Sequence, residues 1–399
     1  MNNNWRLWLL ILLAIAGYSE ANEAEEDKRW PIAREFCAKA TPAQMATLLA
    51  LNGNHNGSCM EGVINYWYNK TIVLEDREHD LDLSPLCLYE GVNDIKIVAE
   101  HKLSHLDCIA RHELKYFWLW NRFYDGDLSF LANQTNLKDL VLSVKSHDWS
   151  PLSRLSKLPR LYLSSHDPDA NLSVINQLTN LKDLDIEGST MATLPDLSRL
   201  QQVEHLTIFD NHNLVDINGI GQMKALKKLW IANNLQLQRM ANLSGLDALE
   251  EMDLTYSYFT DMSGIAGAPS LKHIKLDHGY KPIPAQNLID AILAAPVLET
   301  VSTWQLDIPG LNEQQILRLA QHPTFIAMGL TDSIGYHDNT PLFDAAQRHI
   351  MVSSWDHNLS CSARNYEDYL NGQRCNAKQH QCGEYPHFLW DLCVWWYKD

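Results

Sequence analysis

The chain has 399 residues, 46% hydrophobic and 20% charged, a balance that builds folded domains and excludes wholesale disorder. Its formal net charge of −17 repels phosphate backbones and excludes nucleic acid as the expected partner. With 13 Trp and 15 Tyr against 9 Phe, it carries an excess of amphipathic aromatics, which serve contact surfaces as well as cores.

In chain order, Arg6 precedes an apolar run from Leu7 to Gly17, and Ser19-Glu20-Ala21 places small residues before a cut after Ala21. This predicts a signal peptide over 1–21 and a secreted chain, extracellular or periplasmic. A membrane anchor needs about 20 apolar residues, and this run is shorter. The apolar stretch from Leu389 to Tyr397 is also short and contains Asp391, so no membrane span is expected. Residues 22–68 then read as an N-terminal cap, in which Thr41-Pro-Ala-Gln44 is a capping box that predicts a helix pair around 31–51.

From residue 69 to 356 the chain repeats. The phrase Leu137-Lys-Asp-Leu140-Val-Leu142 returns as Leu181-Lys-Asp-Leu184-Asp-Ile186, Leu226-Lys-Lys-Leu229-Trp-Ile231 and Leu249-Glu-Glu-Met252-Asp-Leu254. Weaker copies begin at Val92, Leu114, Leu158, Val203, Leu271, Leu298 and Phe325. Starts from Val92 to Leu271 are spaced by 21 to 23 residues, and the next two intervals are 27 each. Strand pairs Ile72/Leu74 and Met351/Ser353 extend the phase outward to thirteen turns. Two apolar residues at i and i+2 make a short strand with one face inward. One such turn cannot bury its own apolar edge, so the turns must stack.

The phrase L-x-x-L-x-L at a period near 22 resembles the leucine-rich-repeat family, and the trailing Met240-Ala-Asn-Leu243-Ser-Gly-Leu246 looks most like its internalin-type short repeats. The resemblance implies an α/β solenoid, an arc of about thirteen turns with a parallel concave β-sheet and, for most members, a binding role. The family's asparagine ladder in the bend is only partly kept: Asn211 and Asn234 hold that position, but Lys145, His166, Ser189, Ser257 and Gly279 stand there elsewhere. In the two long intervals, Leu288, Ile292 and Leu293 have helical spacing between Pro284 and Ala295, and Asn312-Glu-Gln-Gln315 caps a helix reaching about Gln321. Thr340-Pro341 opens a third, to about Arg348. The convex side therefore turns helical toward the C-terminus.

The eight Cys flank the repeats: Cys37, Cys59, Cys87 and Cys108 on one side, and Cys361, Cys375, Cys382 and Cys393 on the other, in a Cys-rich C-terminal cap over 357–399. An even count in an exported chain reads as disulfides. Cys87 and Cys108 lie 21 residues apart, nearly one turn, and equivalent positions on adjacent turns sit about 5 Å apart, which suits a bridge. Cys37–Cys59 follows by elimination. The last four Cys allow three pairings.

Residues between and just after the strand anchors point onto the concave sheet. These columns contain Trp118, Trp120, Tyr162, Asp185, Glu187, Phe209, Trp230, Asp253 and Trp304, with Tyr256 and Trp355 one position further on. Trp and Tyr on a solvent-facing sheet are the residues most apt to carry interface energy. The acidic members, with Asp183, Glu251 and Asp277, would select a basic partner. The expected function is a secreted module recognising a protein partner through this aromatic and acidic face. The alternatives are a glycan stacked on the same rings and a passive envelope protein. Catalysis and cofactors are not expected: no G-x-S-x-G elbow, HExxH or phosphate loop is present. His101 and His105, four apart beside Glu100, would share a metal only on a helix. Cys375, His380, Cys382 and His387 read as disulfide-region residues before a zinc site. Asn56, Asn69, Asn133, Asn171, Asn242 and Asn358 each begin an N-x-S/T sequon, which matters only in a source that glycosylates.

Overall fold

The computed structural model describes residues 29–51, 53, 57–303, 305–319, 322–325 and 327–329, and these fall into two compact units that divide after Leu181. In the first unit, three short helices precede the sheet: α1 (residues 29–39), α2 (Pro42–Ala50) and α3 (Cys59–Asn65). The strands follow as β1 (Thr71–Asp76), β2 (Leu81–Asp82), β3 (Asp94–Ala99), β4 (Leu103–Ser104), β5 (Tyr116–Asn121), β6 (Asp139–Val144) and β7 (Arg160–Ser165). The second unit holds β8 (Asp183–Glu187), β9 (His205–Phe209), β10 (Lys228–Ala232), β11 (Glu251–Asp253), β12 (His273–Lys275), β13 (Thr300–Ser302) and β14 (Ala327–Gly329). It also holds α4 (Ala285–Ala294) and α5 (Glu313–Leu319).

Each unit is a leucine-rich-repeat solenoid whose successive turns add parallel strands to one sheet face. In the first, Ile72, Ile95, Phe117, Leu140 and Leu161 fall in one register, as do Leu74, Ile97, Leu119, Leu142 and Leu163. In the second the row is Leu184, Leu206, Leu229, Met252, Ile274 and Val301. All of these anchors are buried. A one-residue slip would turn a whole row of them outward, which is why the register is so strictly kept. The β2–β4 pair forms a second, smaller parallel ladder beyond the bend.

The return path of each turn is set by its length. With 21 to 23 residues per turn, the chain crosses back in tight 3₁₀ turns, such as Ser84–Leu88, Ser150–Arg154 and Leu172–Gln177. A 3₁₀ segment rises about 2.0 Å per residue against 1.5 Å for an α-helix, so fewer residues span the same width. The two 27-residue turns have residues to spare, and there the return is helical, in α4 and α5. Asn312 Oδ1 accepts from Gln315 N at 3.1 Å, the expected cap of α5. Side chains tie the two helices: Gln315 Nε2 donates to Gln286 Oε1 at 2.9 Å, and Arg318 pairs with Asp290. The expected strand at Met351/Ser353, the helix after Thr340 and the four C-terminal Cys lie outside the described residues.

A motif the sequence reading missed opens these return segments. Asp82, Asp127, Asp148, Asn171, Asp196, Asp216, Asn242 and Asp261 each accept, through Oδ1, the backbone N–H two residues on, at 2.7 to 3.1 Å. Seven of those second residues are Ser and one is Asn218. The carboxylate or amide satisfies a donor that the bend leaves without a partner. Asn171 and Asn242 are thus two members of a mostly aspartate column, so their sequons arise from capping.

On the other side of each strand the bend is held differently in the two units. In the second, Asn211 Nδ2 donates to Ile186 O and Phe209 O, and Asn234 Nδ2 to Ile208 O and Ala232 O, all within 3.0 Å. Asn211 N and Ser189 N in turn donate to the next amide oxygen, Asn234 and Asn211 respectively. The residue just before this ladder position is left-handed: Gly188, Asp210, Asn233, Tyr256 and His278 have φ between 54° and 61°. In the first unit, Asn121, one position earlier than expected, donates to His101 O at 2.7 Å and accepts from Phe123 N. Ser146 does similar work against Gly126 O.

The N-terminal cap covers the edge of β1. Leu51 makes an antiparallel bridge to Leu74, leaving less of that strand open to a stray partner. The Thr41–Gln44 capping box is present on α2, and a second, Ser58–Glu61, starts α3. The disulfides Cys37–Cys59 and Cys87–Cys108 are both formed, with Cα atoms 5.8 and 4.7 Å apart.

Candidate binding face

In the first unit, β5 alternates exposed and buried along its length, so Phe117, Leu119 and Asn121 point inward and Tyr116, Trp118 and Trp120 outward. Those three rings are 40 to 45% exposed. Alternate residues of a strand lie about 7 Å apart, so the strand carries a straight aromatic strip. Its neighbours in register are Lys96 and Val98 on β3, and Val141 and Ser143 on β6. The charge beside it is balanced: Lys96 Nζ sits 2.8 Å from Glu75 and 5.8 Å from the Trp118 ring centroid. Trp120 packs on Tyr162 with ring centroids 5.7 Å apart. Near them, Ser143 and Ser164 are buried although they stand on the sheet face, because the His166 imidazole joins both hydroxyls, at 2.9 and 3.2 Å. Burial, and then the nearby Arg122, holds His166 below the usual histidine range and so neutral.

The second unit carries a different surface. Trp230 and Tyr256 are each 44% exposed, and Tyr280 is 53% exposed. The rings are not loose. Phe209 and Trp230 lie 5.5 Å apart, Tyr256 stacks on His278 at 4.9 Å, and Tyr280 packs against both Tyr256 and Tyr258. His278 Nδ1 is 2.6 Å from Gln305 Oε1, which fixes the imidazole under the Tyr256 ring. Around these rings, outward positions on the strands hold Asp183, Asp185, Glu187, Glu251 and Asp253 against Lys228 and Lys275. The acidic strip is laced: Lys228 pairs with Glu251 at 2.7 Å, Lys275 with Asp253 at 3.9 Å and His205 with Asp183 at 2.6 Å. Asp277 is buried and accepts from Ser302 Oγ.

The sequence columns therefore collect Trp118, Trp120 and Tyr162 on one unit, and Asp185, Glu187, Phe209, Trp230, Asp253 and Tyr256 on the other. Trp304 and Trp355 lie outside the described residues. Tyr116 and Tyr280 were missed. Tyr116 stands one place before the first inward anchor, and strand alternation alone would have found it. Tyr280 follows the left-handed bend at His278, where no periodicity points to it.

The His101–His105 reading is corrected. Residues 101–105 form a bend and the two-residue strand β4, with no helix to align i and i+4, and His105 itself is left-handed. His105 Nδ1 lies 2.9 Å from Asp82 and Glu100 pairs with Arg77. Among the described residues no group of three or more His, Cys, Asp or Glu is placed to hold a metal ion. A cleft of about 750 Å³ between the loops after β3 and β5 is lined by His101, His105, Asp107, Phe123, Asp125 and Asp127. Two of its polar groups are already engaged, His105 with Asp82 and Asp127 with the Ser129 N–H. No helix among the described residues is long and apolar enough to cross a membrane.

No protein-family model matches the sequence, and no curated protein does. Solved structures do resemble it in shape. An internalin (inlF) from Listeria monocytogenes aligns over 82% of this chain and 98% of its own, at 14% identity and a TM-score of 0.51. A second Listeria monocytogenes internalin (inlC2) covers 54% of this chain and 93% of its own, at 21% identity and TM-score 0.40. A leucine-rich-repeat protein of Leptospira interrogans covers 74% and 92%, at 14% identity and TM-score 0.40. The first of these likenesses is one of fold: an internalin-like leucine-rich-repeat solenoid, here with two disulfides at its start.

Proposed function

We propose that this chain is an exported binding module that takes a protein partner on the outward face of its sheet. The observation that carries the reading is the aromatic strip on β5. Tyr116, Trp118 and Trp120 stand exposed on a rigid strand, where they contribute nothing to the core and lose apolar contact with water only when something covers them. Trp and Tyr anchors carry interface energy well because they are large and have few rotors to freeze. Building them on a strand fixes their spacing before any partner arrives, which lowers the ordering cost of association. Trp230 and Tyr256 supply a second cluster on the other unit. Export itself rests on the apolar leader at Leu7–Gly17 and the two formed disulfides.

The test is a pull-down with residues 22–399 beside a variant carrying Trp118→Ala, Trp120→Ala and Trp230→Ala, both shown to fold alike by circular dichroism. A protein retained by the wild type and lost by the variant, with at least a tenfold drop in affinity, supports the reading. Equal capture by both, or retention of a glycan in place of a protein, overturns it.

A further inference from the structure

We infer that the partner surface that docks on the second unit is basic, an extended segment bearing Arg or Lys side chains that lie on Trp230 and Tyr256. The inference rests on the sheet face being the binding face. It commits the second unit alone.

The argument is one of charge and desolvation. Five carboxylates stand outward on β8 to β11, and the only lysines among the outward positions on the described strands of this unit are Lys228 and Lys275. Both lysines are already tied, to Glu251 and Asp253. A neutral protein surface laid over Trp230 would strip water from these carboxylates and return nothing, and burying a charge without a partner is among the costliest steps in association. A cation offsets that loss and also finds the ring faces, since guanidinium and ammonium groups are drawn to Trp and Tyr within about 6 Å. Asp253 stands beside Trp230 in register, and Asp185 stands in the same row two strands away, about 10 Å off. A side chain stacked on Trp230 is thereby flanked by carboxylates along the row. The first unit lacks this bias: Glu75 is paired with Lys96, and Asp139 with Arg160 at 3.9 Å, so its aromatic strip is close to neutral.

The experiment uses residues 22–399 and three 12-residue probes, alternating Arg/Gly, Glu/Gly and Ser/Gly, together with a neutral hexasaccharide. Binding is read by calorimetry at 50 and 200 mM salt. The Arg peptide alone should bind, weakening at least tenfold across that salt range. It should also weaken at least tenfold in Asp185→Asn/Asp253→Asn and in Trp230→Ala. A control variant removes two charges from the outer turns, Asp196→Asn/Asp216→Asn, changes that keep their backbone caps, and should bind as the wild type does. Equal loss in the control means diffuse attraction to an acidic protein and overturns the inference. Binding of the Ser peptide, the Glu peptide or the saccharide as tightly as the Arg peptide overturns it too. If the Arg peptide fails while the tryptophan variant still loses its captured protein, the sheet face stands as the binding face and only the basic-partner inference falls.

Discussion

Single residues carry the bends of this molecule, and Asp261 shows how. Its Oδ1 accepts from Ser263 N at 2.9 Å, and that bond is the first cause holding its carboxyl below the usual range. Because the column admits Asn at 171 and 242, Asp261→Asn should unfold at nearly the wild-type urea concentration, while Asp261→Ala should lose about 1 kcal/mol. Equal loss in both would mean that charge, and not the cap, does the work. The sign of the pH effect follows from the same shift. A carboxylate with a lowered folded pKa stabilises above its unfolded value near 4 and loses that contribution as the pH falls through the folded one. The buried His112 acts in a different window. Its Nε2–H donates to Leu86 O at 3.1 Å, and burial holds the imidazole below the usual range. The unfolded chain takes up a proton near pH 6.5 where the folded one does not, so stability falls as the pH drops below about 6.5. His112→Gln keeps a donor that does not titrate. Its unfolding midpoint should therefore decline less than that of the wild type between pH 7.5 and 5.5, and an equal decline would place the titration at another residue.

At the scale of elements, the turns stack closely enough that one methyl group is too much. A Cβ on Gly264 would lie 2.1 Å from Ala241 O and 2.4 Å from Met240 O on the preceding turn. Gly264→Ala should therefore cost about 1 to 3 kcal/mol in a urea titration, the usual range for overpacking. A cost near zero would mean that this 3₁₀ turn shifts freely. The elements also show what the sequence could disclose. The strands were legible because Leu184, Leu206 and Leu229 repeat the same two-residue alternation, and α5 because Asn312 and Gln315 form a cap. The helix α3 was not read, although Ser58 and Glu61 are also a capping box, because the helix is only seven residues long and its periodicity is too short to register. The Asp/Asn-x-Ser column escaped because its bond is two residues long and leaves no apolar pattern. The aromatic strip on β5 was half read: spacing gave Trp118 and Trp120, while Tyr116 lies outside the anchor pair that defined the columns. The ring pairs and the pairing of carboxylates with lysines across strands depend on register between turns, which no single turn reveals.

For the whole molecule, the stacked design predicts how damage spreads. Each turn contacts only its neighbours, so stability is close to a sum of local terms. The Cys87–Cys108 bridge closes a loop of 21 residues, for which chain entropy gives about 3 kcal/mol. In Cys87→Ser/Cys108→Ser, hydrogen exchange should quicken in β1 and β3 and stay unchanged in β9 and β10. Faster exchange in both sets would show that the chain unfolds as one cooperative body.

The left-handed residues after the strands, from Gly188 to His278, recur at one fixed place in every turn of the second unit. So do the capping aspartates on the return side. A single inserted or deleted residue would push one of these columns out of step with its neighbours, leaving a side chain where the backbone needs a cap. Whole turns of some 22 residues can be gained or lost with every column intact. The chain is free to change its length only in quanta, as a string of beads does, and a lineage of such molecules should differ by entire turns more readily than by single residues.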